Sequence, residues 1–247
     1  MDQRNASVAV IGAGNFIGAA IAKRFAAGGY HVHGGRRTGD KLAVLTDEIT
    51  AAGGRFTPHT LDAREGDQVA AFLDAADASA PLEAVIFNVG ANVNFPILET
   101  TDRVFRKVWE MACFAGFLSG REAARRLLVH GRGSIFFTGA TASVRGGKGY
   151  AAFASAKAGL RLLAQSMARE LGPQNIHVAH LVIDAGVDTA FVRERIAAMK
   201  GAEVAANLPP DILMNPESIA ETYWQLHQQP RDAWTHELDL RPYGETW

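Results

Sequence analysis

SVAVIGAGNFIG, residues 7–18, decides the fold. Ser7 to Ile11 is a short, β-branched run that stops at Gly12, the pattern of a buried strand reaching its end. From Ala13 to Gly28 the apolar spacing becomes helical, with Ile17, Ile21 and Phe25 on one face and Gly28-Gly29 as the stop. Glycines in a turn between strand and helix let the backbone approach a pyrophosphate, whose charge sits against helix N-terminal N–H groups. Gly12, Gly14, Asn15, Phe16, Ile17 and Gly18 are therefore candidate phosphate-binding positions. The plainer alternative is a tight turn that holds no ligand.

Outward from this stretch the same alternation repeats. Strands are predicted at Tyr30–Gly34, Phe56–Leu61, Leu82–Asn88, Ser134–Thr138, His177–Ile183 and Trp234–Leu240. Helices are predicted at Lys41–Ala52, Gln68–Ala78, Thr101–His130, Tyr150–Leu171 and Pro216–Gln228. Strands alternating with helices imply an α/β fold: a doubly wound, Rossmann-type, mostly parallel seven-stranded sheet with helices on both faces. Residues 1–247 are expected to form one domain, with 184–216 as a flap over the substrate.

With 48% hydrophobic residues a sizeable core is available and disorder is excluded. A net charge of -1 with scattered basic residues gives no electrostatic reason to expect nucleic acid or an anionic membrane as partner. No apolar run reaches a membrane-spanning length, and the N-terminus lacks the pattern of a secretory signal. Cys113 is the single cysteine, which rules out an intrachain disulfide and fits a reducing cytoplasm. On its apolar helix it suits a buried small hydrophobe better than a nucleophile. The histidines have no ligand spacing, so no catalytic metal is expected.

In open α/β sheets, ligands bind beyond the carboxyl ends of strands where the winding reverses. The second strand runs out into Gly34-Gly35-Arg36-Arg37. An acid there would hold the ribose hydroxyls of NAD; two guanidiniums suit a 2′-phosphate instead. This favours NADP(H) over NAD(H), with two solvated arginines at a helix start as the alternative.

On these motifs the chain resembles the short-chain dehydrogenase/reductase family over essentially its whole length. The family's first turn reads T-G-x-x-x-G-x-G; here Ile11 stands for the threonine, Gly12 and Gly18 match the outer glycines, and Phe16 replaces the middle one. The resemblance implies that Asp62 and Ala63 contact adenine, and that Asn88, Val89 and Gly90, after Phe87, flank the cofactor ribose. It also implies that Val187 and Thr189 hold the nicotinamide carboxamide, although Asp184-Ala185 replace the usual Pro-Gly.

The family's reaction centre uses an Asn, a Ser, a Tyr and a Lys, and these positions fall mostly in the run from Gly133 to Leu163. The Y-x-x-x-K motif aligns with Phe153 to Lys157, the serine position with Ala140 and the asparagine position with Ala112. Phenylalanine cannot exchange a proton, and alanine cannot donate a hydrogen bond to a developing alkoxide. Lys157 is retained as a ribose ligand, or else as a lysine snorkelling from its helix. Two groups could substitute for those lost: Tyr150, which shares a helix face with Phe153, and a hydroxyl of Thr138 or Thr141. The alternatives are an aromatic packed over the helix start and threonines that satisfy their own backbone. Asn92, Asn94 and Phe95 either line the pocket or form the turn before Pro96.

Three readings of function follow. The first is an NADP-dependent oxidoreductase for a small-molecule carbonyl or alcohol that uses a displaced or unusual proton donor, or none beyond water, with Lys157, Tyr150 and Thr141 as its candidate catalytic residues. The second is an NADP-binding sensor or assembly protein without turnover. The third, suggested by Phe16 alone, is a scaffold that binds no nucleotide. The resemblance also implies a homodimer or homotetramer built through helices 101–130 and 150–171, with the segment 234–247 as a second interface.

Overall fold

Ser7–Ile11 forms β1, fully buried, and its β-branched side chains suit a strand covered on both faces. The computed structural model describes residues 3–245. Among them the further strands are β2 (His31–Arg36), β3 (Arg55–Thr60), β4 (Leu82–Phe87), β5 (Gly133–Thr138), β6 (Ile176–Ile183) and β7 (Glu237–Leu240). They form one sheet in the order β3-β2-β1-β4-β5-β6-β7. Every ladder is parallel, so the sheet is wholly rather than mostly parallel. The winding reverses between β1 and β4, which opens a crevice at their carboxyl ends.

The helices are α1 (Ile17–Ala27), α2 (Ala43–Ala51), α3 (Gly66–Ser79), α4 (Asp102–Trp109), α5 (Ala115–His130), α6 (Ala151–Leu171), α7 (Ala190–Lys200), α8 (Ala202–Ala206) and α9 (Pro216–His227). Val8 and Val10 of β1 point into one core with Ile21 and Phe25 of α1, Leu45 of α2 and Tyr223 of α9. Ala9 and Ile11 point into the other with Phe72 of α3, Leu127 of α5 and Leu160 of α6. This two-sided alternation is the period of a strand sandwiched between helix layers.

Several boundaries differ from those expected, each for a physical reason. β2 continues through Gly34 and Gly35 to Arg36. A Cβ on Gly34 would lie 2.4 Å from the Phe56 ring and one on Gly35 2.6 Å from Leu61, so these glycines make room for neighbours rather than end the strand. The first helix starts at Ile17 because residues 13–16 belong to the glycine turn. The tract 101–130 is α4 and α5 joined by a π-helical turn at Glu110–Phe114, which contains Ala112 and Cys113. β7 is shorter than expected and lies at the sheet edge beside β6. Of the expected interface segment 234–247, Thr246 and Trp247 lie outside the described residues. Residues 184–216 carry α7 and α8, and a parallel bridge between Val187 and Met214 joins the two ends of the segment to each other. No helix among the described residues is long and apolar enough to cross a membrane.

Candidate functional site

The turn after β1 is held from three sides. Gly12 has φ +90°, and a Cβ there would sit 2.5 Å from the Asn88 carbonyl oxygen. Its N–H donates to Gly35 O at 2.9 Å, and its carbonyl accepts from Asn88 Nδ2 at 3.2 Å. A Cβ on Gly18 would lie 2.2 Å from Gly12 O, so α1 packs directly on the turn. Gly14 and Gly90 instead face open space. Phe16 adopts the unusual backbone φ -121°, ψ -109° just before α1, and its side chain is partly exposed.

Two adjoining clefts open here and share Gly12, Gly14, Asn88, Val89 and Gly90. The first, about 240 Å³, is completed by Gly35, Arg36, Arg37, Asp62 and Ala63 among others. The second, about 300 Å³, adds Asn15, Phe16, Ile17, Gly18, Thr138, Lys157, Val187 and Thr189. Every position that the sequence assigned to the nucleotide therefore borders one of the two. The first N–H groups of a helix have no intrahelical acceptors; Ile17 and Gly18, which open α1, border the second cleft, while Ala19 N and Ala20 N donate to Gly14 O and Phe16 O. A cradle of glycines without Cβ atoms, a helix N-terminus and paired guanidiniums together fit a phosphorylated dinucleotide. Arg36 Nη1 donates to Asn15 Oδ1 at 2.8 Å, linking the arginine end to the glycine turn. The Arg64 guanidinium grips Asp62 through Nε (2.9 Å) and Nη2 (2.5 Å) and holds its carboxyl below the usual carboxylate range. Arg64 is not among the residues expected from the sequence, although its place two residues beyond Asp62 is the available signal.

At the other end, Lys157 is buried, and its Nζ donates to Thr138 O at 2.7 Å and to Val89 O at 3.2 Å. Burial pulls its pKa down to about 8, opposed by the Cys113 sulfur. Cys113 is buried, and its thiol is pushed up by burial; Lys157, remote in sequence, is the nearby cation that acts against this. Thr138 Oγ1 donates to Asn88 Oδ1 at 3.0 Å and lies 2.7 Å from the Tyr223 hydroxyl.

Ala112, Ala140 and Phe153, far apart in the chain, meet in one apolar cluster with Val108, Cys113 and Ala156. The structure does not bring Tyr150 and Thr141 to the two clefts. The Tyr150 ring packs 6.5 Å from that of Phe153, and its hydroxyl accepts from Arg195 Nη2 of α7 at 3.1 Å. Thr141 Oγ1 donates to Asp184 Oδ1 at 2.5 Å, and Arg241 holds the other carboxylate oxygen at 2.9 Å. Thr189 caps α7 by accepting from Val192 N. Asn94 clamps two loops, donating to Lys148 O at 3.1 Å.

A family model described as short chain dehydrogenase matches residues 6–200. The 3-oxoacyl-[acyl-carrier-protein] reductase MabA of Mycobacterium tuberculosis is 30% identical over 188 residues, covering 76% of this chain and 71% of that protein. A crystal structure of a short-chain dehydrogenase from Rhodopseudomonas palustris superposes with a TM-score of 0.83 at 63% identity, over 97% of this chain and 100% of the other. An alcohol dehydrogenase from the archaeon Thermococcus sibiricus, solved with 5-hydroxy-NADP, gives a TM-score of 0.83 at 25% identity, over 98% of each chain.

Proposed function

The chain belongs to the short-chain dehydrogenase family, and from that membership we propose that it is an NADP-dependent oxidoreductase acting on a small-molecule carbonyl or alcohol. The observation that carries this reading is the continuity of the two clefts, with Arg36 and Arg37 at one end and Lys157 at the other. When bound, the cofactor supplies or accepts the hydride. The chain's own residues do the rest. Arg36 and Arg37 suit a 2′-phosphate, the glycine turn and the start of α1 take the pyrophosphate, and Asn88 holds the turn to β4. Lys157 and Thr189 border the cleft that would take the reacting end. The 5-hydroxy-NADP in the Thermococcus alcohol dehydrogenase structure supports the choice of cofactor.

With Ala112, Ala140 and Phe153 in the positions of the usual polar groups, proton delivery falls to another residue. The candidates are Lys157, Tyr150 and Thr141. We further infer one domain over residues 1–247, a cytoplasmic location, and a homodimer or homotetramer through α4–α5 and α6. Phe105, Trp109 and Phe117 stand partly exposed on the first of these surfaces and Leu162 on the second.

Fluorescence titration with NADPH and NADH, followed by a panel of carbonyl substrates, tests the reading. Binding of NADPH in preference to NADH with turnover of any panel member supports it. Tight binding without turnover favours the second reading, an NADP-binding sensor or assembly protein, for which the apolar packing of Ala112, Ala140 and Phe153 is the specific observation. Light scattering that returns a monomer at micromolar concentration removes the oligomer.

A further inference from the structure

Resting on the oxidoreductase reading, we propose that Lys157 is itself the proton donor, its ammonium protonating the substrate oxygen directly. The inventory of polar hydrogens around the reacting end leads to this residue, because Thr189, which accepts from Val192 N and so keeps its hydroxyl hydrogen, offers only an unactivated alcohol, a far weaker acid than an ammonium. The hydroxyl of Thr138 is engaged with Asn88 and Tyr223, and that of Thr141 with Asp184. Ser143 accepts from Ala140 N, and Tyr150 is held by Arg195 on the flap, bordering neither cleft. Asn88 gives its amide to Gly12 O. An ammonium carries three N–H groups; two go to Thr138 O and Val89 O, which leaves the third for a ligand in the cleft that Lys157 borders.

The surroundings favour release of that proton. Lys157 forms no ion pair among the described residues. The groups facing it are Cys113 from the π-turn, whose thiol is neutral at ordinary pH, and His180 from β6, kept neutral by burial. Behind His180, Glu237 is bound through both oxygens by Arg161, and beyond the end of β6 Asp184 is held by Thr141 and Arg241. Among the described residues no carboxylate is therefore left over to fix the ammonium in its charged form. Burial brings its pKa to about 8, close enough to neutrality for an acid that must be charged before the step and neutral after it. In the step, hydride from the reduced nicotinamide forms the new C–H bond. The carbonyl π pair takes a proton from Nζ to form the O–H bond. Lys157 is left as an amine, the nicotinamide oxidised, and solvent returns the proton.

Two measurements test the assignment, one of them independent of turnover. Competitive acetylation read by mass spectrometry across pH should show Lys157 half-deprotonated near pH 8, well below the other lysines; a value near that of an ordinary lysine overturns the proposal. NADPH affinity and single-turnover hydride transfer are then measured for the parent, Lys157→Ala and Tyr150→Phe. Hydride transfer in Lys157→Ala at saturating NADPH should fall by about 100-fold or more. Ethylamine should restore at least about tenfold of the loss, and tetramethylammonium, which has no proton to give, should restore none. Transfer within about threefold of the parent in Lys157→Ala, or a deep loss in Tyr150→Phe instead, assigns the donor elsewhere while leaving the oxidoreductase reading intact. A parent that binds NADPH and reduces nothing overturns both.

Discussion

Lys157 and Thr138 are joined across the seam between α6 and β5: Nζ donates 2.7 Å to the Thr138 carbonyl, while the Thr138 hydroxyl reaches Asn88 at the end of β4. A buried ammonium gains these hydrogen bonds but loses its hydration. Its pKa of about 8, against the ordinary lysine value of 10.5, means that the desolvation loss dominates.

Removing the charge with Lys157→Met should therefore stabilise the fold at pH 7 by about 1–3 kcal/mol while weakening the cofactor site. The pH dependence distinguishes this from simple repacking. Between the folded pKa and the unfolded one the unfolded chain binds more protons, so the parent gains stability as pH rises through that window. The penalty is fully present below about pH 8 and relieved towards 10.5. Urea midpoints of the two proteins should converge between pH 8 and 10; a constant gap would show that the charge is not the cause.

Gly12 and Gly14 should behave in opposite ways. At Gly12 a methyl group meets the Asn88 carbonyl at 2.5 Å on a backbone with φ +90°, so Gly12→Ala should cost about 2 kcal/mol or more in stability. At Gly14 nothing lies within 4 Å, and Gly14→Ala should fold with nearly the parent's melting temperature. It should nevertheless lose NADPH affinity, because the methyl group occupies the space the phosphates would take. Thermal melts paired with NADPH titration separate the two effects; a Gly14→Ala protein that binds like the parent would remove the glycine turn from the site.

The contrast explains what a sequence can and cannot disclose here. Residues 7–18 are local: the β-branched run, the glycines and the spacing of Ile17, Ile21 and Phe25 carry strand, turn and helix without reference to the rest of the chain. Arg36, Arg37, Asp62 and Ala63, expected at the adenosine end, border one cleft for the same reason, since each lies at or just beyond a strand's end. Gly34-Gly35 misled because a glycine pair that ends a strand and one that makes room for Phe56 and Leu61 look alike until β3 is laid beside β2. What became of the hydroxyls was also hidden. Thr141 finds Asp184, and Tyr150 finds Arg195, across more than forty residues of chain. That Ala112, Ala140 and Phe153 would pack on one another depends on the π-turn and the start of α6 meeting, which no periodicity encodes.

Acid should destabilise the fold well before the carboxylates titrate. Burial lowers the pKa of His33 to about 3 and of His180 and His227 to about 4. In the unfolded chain these imidazoles regain a value near 6.5 and bind protons that the folded state refuses. Stability is therefore complete above that value and lost as pH falls from it towards 4, at up to about 1.4 kcal/mol per pH unit for each histidine. His33 is hydrogen-bonded on both nitrogens, to His59 at 3.0 Å and Ser79 at 2.9 Å. His33→Gln should lower the overall stability but flatten the slope of urea midpoint between pH 6.5 and 4.5. An unchanged slope would show that His33 is not among the groups responsible.

Cofactor choice should turn on β2's last residue. Arg36 is positioned by Asn15, so its guanidinium is steered towards the glycine turn rather than free in solvent. Arg36→Asp replaces a group that pairs with a 2′-phosphate by one that repels it and accepts ribose hydroxyls instead. NADPH affinity should fall by about 10- to 100-fold, equivalent to about 1.4–2.8 kcal/mol, while NADH affinity holds or rises. Asn15→Ala should show the same trend weakly, because it removes only the anchor of the guanidinium. If instead Arg37→Ala produced the large loss and Arg36→Asp little, the phosphate would belong to Arg37, and the Asn15–Arg36 bond would serve the turn alone.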